Sequence, residues 1–301
     1  MTEDEILSRC KTVKELLDEK PNHCLSLGCP ELDKLLGGGI QRNKITEITG
    51  ESSAGKTQLT LQLCLQCLLS EQKGGLNGIP IYLSSEGIFP SDRLAEMANE
   101  FIMENKEFTN SNVTDNILVK RINSFDQLIS SINSIPPLLE KKPVRLVILD
   151  SLTALFRGEE MYKNASKQKQ QALIQLFTLL RSYCQQYDLT FIIINQVSNV
   201  FTTDSSSSPS PSLYEYGHPI KPALGSIVPS FSLFYYVYFY MLCRRKSSYP
   251  EGVPVDIIIK DESMGLSDDI VRDMYILVSA SRPVSKRSFI ITQRGIRDIP
   301  N

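Results

Sequence analysis

Gly50-Glu51-Ser52-Ser53-Ala54-Gly55-Lys56-Thr57 has the spacing G-x-x-x-x-G-K-[ST]. Glycines at both ends let the backbone wrap closely around phosphates, so that successive N–H groups point at anionic oxygens. Lys56 supplies a cation for the β- and γ-phosphates, and the Thr57 hydroxyl is a hard oxygen ligand for Mg²⁺. The bland alternative is an ordinary glycine turn. The flanks decide against it: Ile45 to Thr49 has strand character, and Thr57 to Leu69 is an apolar helical stretch. A loop between a strand and a helix N-terminus is a ready anion site.

Two carboxylates stand where such a site needs them. Ile79 to Leu83 reads as a strand, with Ser84-Ser85-Glu86 at its C-terminal end. Ligand-handling residues of parallel α/β sheets lie at strand C-termini, and a carboxylate there can orient an attacking water. A helix-capping acid is the competing reading of Glu86. Val144 to Leu149 is an apolar run that ends in Asp150, the pattern of a second metal-handling acid. Ser91 is placed to cap a helix that carries Arg93, Leu94 and Met97.

The elements that must position these residues follow in alternation. Further strands are expected at Ile117–Lys120, Thr190–Ile194, Val253–Ile259, Met274–Ser279 and Phe289–Thr292, and helices at Glu31–Leu36, through Ser124–Leu139 and around Leu173–Cys184. Pro30 before Glu31 and Gly37-Gly38-Gly39 after Leu36 are the expected helix start and stop. Strands alternating with helices imply an α/β fold with a mostly parallel sheet. Glu3 to Leu17 has helical spacing but too few apolar residues for a core, so it is expected to dock as a linker helix. The division expected is 1–24 linker and 25–301 core.

Composition narrows the function classes. Hydrophobic content of 42% supports a sizeable core and excludes global disorder. A net charge of −2 leaves no overall basic field, so any nucleic-acid contact must come from local loops. Seven cysteines in a chain of 301 residues read as reduced thiols. Cys64 and Cys67 fall within the helix after the loop and read as buried, while Cys10, His23, Cys24 and Cys29 fit no paired zinc pattern. Pro222 to Cys243 carries no charge for 22 residues. Pro222, Gly225 and Pro229 interrupt it, and Leu233 to Leu242 reads as a buried aromatic strand, so no membrane span is expected.

Leu25–Pro30, Gly50–Thr57 continuing as Gln58-Leu59, Tyr82–Glu86, Asp150-Ser151 and Asn195-Gln196-Val197 together resemble the RecA-type recombinase core, from about Leu25 to the C-terminus. Within it, Leu25–Pro30, Ser52–Leu59, Gly74-Gly75-Leu76 and Pro222-Ala223-Leu224-Gly225 are similar to a eukaryotic recombinase paralogue. The resemblance implies a RecA-like P-loop NTPase core whose cofactors are ATP and Mg²⁺. It implies that Gly50 to Gln58 hold the nucleotide, that Thr57 and Asp150 handle the metal, and that Glu86 is the catalytic carboxylate. It implies that Arg93 packs on adenine and that Gln196 senses the γ-phosphate, with Lys56 and Gln196 assisting Glu86. Arg157–Lys169 and Val197–Ile220 correspond to two DNA-facing loops, with Lys163, Lys167 and Lys169 as contacts that a solvated charged loop would equally explain. Ser279–Lys286 corresponds to a segment laid over a neighbour's ATP.

Departures from that family set the functional expectation. Only 24 residues precede the core, so the helix-hairpin domain is expected to be absent, and Ile6-Leu7-Ser8-Arg9 is a weak version of the Phe-x-x-Ala plug. The second loop has no Arg or Lys before Lys221. The expectation is an ATP-binding recombination mediator with weak DNA-stimulated ATPase activity. It would form a heterodimer with another paralogue, assist recombinase filaments on single-stranded or branched DNA, and serve in double-strand break repair, fork protection and junction processing. Its compartment would be the nucleus, with the cytoplasm as a second. The competing reading is an autonomous DNA-dependent ATPase that forms its own strand-exchange filament. A non-hydrolysing scaffold and a hexameric helicase motor fit the residues less well.

Overall fold

Residues i and i+2 of a strand share a face, so an apolar run without alternation must be covered on both sides. The strands of this chain meet that requirement. The computed structural model describes Thr12, Lys14 and residues 24–109, 113–158, 166–199, 220–224, 237–244, 271–278 and 285–300. Its first half runs β1 (Cys24–Leu25), α1 (Pro30–Leu36), β2 (Ile40–Gln41), β3 (Ile45–Gly50), α2 (Lys56–Cys67), β4 (Ile79–Ser84), α3 (Ser91–Glu104), β5 (Leu118–Arg121), α4 (Phe125–Asn133) and α5 (Ile135–Leu139). Its second half runs β6 (Val144–Asp150), α6 (Leu152–Gly158), α7 (Ser166–Tyr187), β7 (Thr190–Asn199), β8 (Ile220–Pro222), β9 (Val237–Arg244), β10 (Arg272–Val278), β11 (Ser285–Thr292) and β12 (Gly295–Asp298).

One large sheet has the order β12-β11-β10-β9-β3-β7-β6-β4-β5, and β8 pairs with β7. Parallel pairings join β9 through β5, which is the mostly parallel α/β sheet expected. From β9 outward, β10, β11 and β12 form an antiparallel wing. The two faces divide by strand parity. Ile192 and Ile194 of β7 join the cluster of Leu59, Leu63, Met97 and Phe101, from α2 and α3. Phe191 and Ile193 join Phe125, Leu173, Leu176 and Leu180, from α4 and α7. Each such fully buried side chain contributes about 1.5–3 kcal/mol. An exposed pair such as Lys73–Glu107, at 2.6 Å, is solvated and screened and adds little. The two apolar layers therefore hold the sheet, and surface ion pairs trim it.

β1 and β2 form a separate antiparallel pair. Gly39 lies there at φ 122°, and a β-carbon on it would stand 2.2 Å from the Leu25 carbonyl oxygen, so only glycine fits. Pro30 opens α1, and Gly37 closes it in the left-handed region at φ 74°, as the residue order predicted.

Several boundaries differ from the sequence reading. α2 begins at Lys56 and ends at Cys67. β7 runs past Ile194 to Asn199, because β8 gives Val197–Asn199 a pairing partner. The short β12 was not foreseen. Its four residues are too few to show a period, yet β11 supplies a full antiparallel register for it. Cys64 and Cys67 are buried thiols within α2. Within the uncharged stretch 222–243, the described parts are Pro222–Leu224, where Pro222 ends β8, and β9, paired with β3 and β10. Among the described residues no helix is long and apolar enough to cross a membrane. The linker helix Glu3–Leu17 (apart from Thr12 and Lys14), residues 159–165 and 200–219 of the two loops, the strand at Val253–Ile259 and residues 279–284 lie outside the described residues.

Candidate functional site

The tips of β3, β4, β6 and β7 converge on one end of the sheet. Gly50 ends β3, and the loop turns there through two residues at positive φ, Ser53 at 59° and Gly55 at 98°. Alternating hand in this way curls successive N–H groups into an anion-binding concavity. Gly55 then caps α2, whose first residue is Lys56. Lys56 Nζ donates to the carbonyls of Gly50 at 2.9 Å and Glu51 at 2.7 Å. Burial pulls its ammonium below the ordinary value, against the opposing pull of Asp150, Glu86 and Glu51. A desolvated cation gains more from an arriving phosphate than an exposed one does.

Asp150 ends β6 and is tied to the loop. Its Oδ2 accepts from Thr57 Oγ1 at 3.1 Å and from Tyr82 OH at 2.6 Å. Tyr82 OH also lies 3.1 Å from Thr60 Oγ1. Burial raises the Asp150 carboxyl, and the bonds from Tyr82 and Thr57 oppose that rise. Tyr82 is held protonated by burial and by the Asp150 charge, so it remains a donor. A hydroxyl and a carboxylate side by side, both hard oxygens, fit Mg²⁺, which takes one or two protein oxygens and completes its shell with phosphate and water.

Glu86 lies just past β4. Its Oε1 accepts from Ser151 Oγ at 2.9 Å and from Gln196 Nε2. The β4 and β6 tips are laced together: Ser85 Oγ donates to the Ser151 carbonyl at 2.6 Å, and Ser151 N donates back at 2.8 Å. Gln196 is pinned through its main chain. Its N–H meets Thr153 Oγ1 at 3.0 Å and Asn195 Oδ1 at 2.8 Å. Its carbonyl takes Ala223 N at 2.8 Å and Thr49 Oγ1 at 3.3 Å. Asn195 is fixed in turn, donating to the fully buried Glu47 of β3 at 2.7 Å. Burial lifts the Glu47 carboxyl to about 8, opposed by the Asn195 bond.

Beside the loop opens a cleft of about 580 Å³, lined by Ser53, Gly55–Gln58, Arg93, Glu96, Arg272 and Ile291–Gln293. Arg93 is held at its wall by three partners. Nε donates to Gln58 Oε1 at 2.9 Å, Nη2 to the Thr292 carbonyl at 2.6 Å, and Nη1 pairs with Glu96 at 2.9 Å. Glu86, Asp150 and Gln196 do not line this cleft. They sit beyond Thr57, so the site has a roomy end at Arg93 and a polar end at Asp150. The structure thus joins Lys56, Thr57 and Asp150 in one group and Glu86 and Gln196 in a second, and it sets Arg93 apart at the far wall. Gln58 meets Arg93, while Ser52 and Ser53 stay exposed on the loop crest.

The first of the two loops expected to face DNA is only partly described. Lys169 is half-buried with its ammonium 5.4 Å from the Phe156 ring centre, and burial lowers its pKa, so it is a packing cation rather than an extended one. Lys167 is exposed, and Lys163 lies outside the described residues. Sequence reading missed Arg272, Tyr82 and Gln293 as parts of the site. An Asp-ended strand signals itself, whereas Arg272 on a distant strand carries no local mark.

Fold and site define a RecA-like α/β domain with a phosphate loop at the sheet's C-terminal edge. Residues 20–232 match the Rad51 family. The chain is 32% identical over 288 residues to "DNA repair protein XRCC3" of Mus musculus, covering 92% of this chain and 75% of that protein. It is 32% identical over 301 residues to "DNA repair protein XRCC3 homolog" of Arabidopsis thaliana, covering 94% and 96%. The chain belongs to the Rad51 family, and its similarity to the third X-ray repair cross-complementing paralogue extends over most of its length.

Proposed function

We propose that this chain is an ATP-binding mediator of homologous recombination in DNA repair, working beside another recombinase paralogue. The observation that carries the reading is the bond from Thr57 to Asp150, which brings the phosphate loop and the second acid to one point. The DNA-repair names of the two relatives support the same role.

The residues divide the work. The loop N–H groups and Lys56 bind the triphosphate, Arg93 stacks on adenine at the roomy end, and Thr57 and Asp150 hold Mg²⁺. Mg²⁺ held by these two residues would neutralise phosphate charge. Glu86 orients the water that attacks the γ-phosphate, giving ADP and phosphate. Gln196 holds Glu86 and, on the strand that leads to Val197–Ile220, links phosphate state to the DNA-facing loop. Turnover is slow and DNA-stimulated. ATP acts chiefly as an interface ligand, since binding at a subunit boundary stabilises the assembled state by mass action. The chain acts in the nucleus on single-stranded or branched DNA.

Light scattering of the purified chain with ATP·Mg²⁺, with and without single-stranded DNA, tests this. A monomer that grows only when a second paralogue is added supports the mediator. Long polymers of this chain alone mean an autonomous filament former and sink the proposal.

A further inference from the structure

Arg272 begins β10, in the antiparallel wing, yet it reaches the phosphate loop. Its Nε donates to the Ser53 carbonyl at 3.3 Å, across 219 residues of sequence. Its stem lies against the loop's turn. A β-carbon on Gly55 would stand 3.6 Å from Arg272 Cδ and 2.7 Å from Ile291 Cδ1. The same side chain lines the cleft together with Lys56 and Arg93. Three cations thus face the cleft, with Glu96 as the anion among its lining residues. The G-x-x-x-x-G-K-[ST] motif accounts for only one of the three.

We propose that Arg272 is a positioning residue for the polyphosphate part of a nucleoside triphosphate, which rests on the nucleotide reading above. Ser53 and Gly55 both lie at positive φ, the conformation that turns their N–H groups toward an anion. A guanidinium on the Ser53 carbonyl holds that turn from outside, and its positive charge draws a polyanion into the same cleft. Arginine suits the task because its rigid fork keeps direction while its stem packs on the glycine. A polyphosphate gains from both effects, and a monophosphate that barely engages the turn gains little.

The test is a fluorescence titration of the full chain with Mg²⁺ and ATP, ADP or AMP, beside the ligand-free melting temperature. Arg272→Met keeps the stem and removes the charge. It is expected to weaken ATP about tenfold or more and AMP by less than about twofold, with ligand-free melting within about 2 °C of the parent. Arg272→Lys recovers part of the loss for ATP. Unchanged ATP affinity in Arg272→Met overturns the proposal. So does an equal loss for ATP and AMP with a lower melting temperature, which is a packing role alone. Failure of the nucleotide reading looks different: the parent binds no ATP, or Lys56→Ala binds it as the parent does.

Discussion

The two halves of the sheet hold the site by different means. On the parallel half, β3, β4, β6 and β7 offer side chains that meet one another: Thr57 with Asp150, Gln196 with Glu86, Asn195 with Glu47. On the antiparallel wing, the cleft wall is made of a backbone carbonyl at Thr292, an aliphatic side chain at Ile291, and Arg272. The parallel half concentrates chemistry at strand ends, where each tip brings one functional group. The wing shapes the space and holds the loop. One Gln joins the halves. Gln62 of α2 donates to the carbonyls of Leu27 at 2.5 Å and Ile296 at 3.2 Å, and accepts from Ile296 N at 2.6 Å.

The largest expected effect is at the parallel half. Lys56→Ala removes the half-buried cation and is expected to weaken ATP on the order of 100-fold, read by nucleotide titration. Full repair complementation by that variant in cells would break the division of labour. Asp150→Asn keeps shape and removes charge. It is expected to lower ATP turnover on the order of 100-fold, with a smaller loss of ATP affinity. A loss of ATP affinity with turnover unchanged at saturating ATP would mean that Asp150 serves binding alone.

Next comes the joint. Gln62→Leu leaves the Leu27 and Ile296 backbone groups unpaired and is expected to cost about 2–4 kcal/mol of stability, read by urea unfolding. A loss confined to hydrogen-exchange protection of β11 and β12 would sharpen the contrast, because the wing would then open by itself.

The last effect is one of pH and belongs to Glu47. Its folded pKa is raised from 4.5 to about 8 by burial, so the folded state holds a proton that the unfolded state has released. Stability therefore falls as pH rises through that window, and the full cost is present above it. Glu47→Gln is expected to match the parent below about pH 4.5 and to exceed it near pH 8, in urea unfolding at the two pH values. A gain that is the same at both would show that ionisation of Glu47 is not the cause.

What could be read from the chain follows the same divide. The phosphate loop is eight contiguous residues between a strand and a helix, and Glu86 and Asp150 each close an apolar run, so local pattern suffices. Gln196 came from resemblance, since an amide ending a buried strand has no signature of its own. Arg272, Gln62 and Glu47 were not legible. Their partners lie 219, 234 and 148 residues away, and an arginine, a glutamine or an acid inside an apolar stretch looks locally like a solvated face or an error of register. The β11–β12 turn was likewise hidden, because β12 is too short to show alternation. The α/β class was legible from alternation alone, whereas the antiparallel wing depended on pairings between distant segments.

Gln196 is anchored at both its N–H and its carbonyl, on one side by Asn195 and Thr153 and on the other by Ala223 and Thr49. Its peptide planes cannot swing without breaking four bonds, while its side chain is joined to Glu86 by one. Whatever message starts here starts as a rotor turning on a fixed bearing. Its first tick belongs to the picosecond-to-nanosecond range of side-chain flips, and slower strand or loop movements can only come after it.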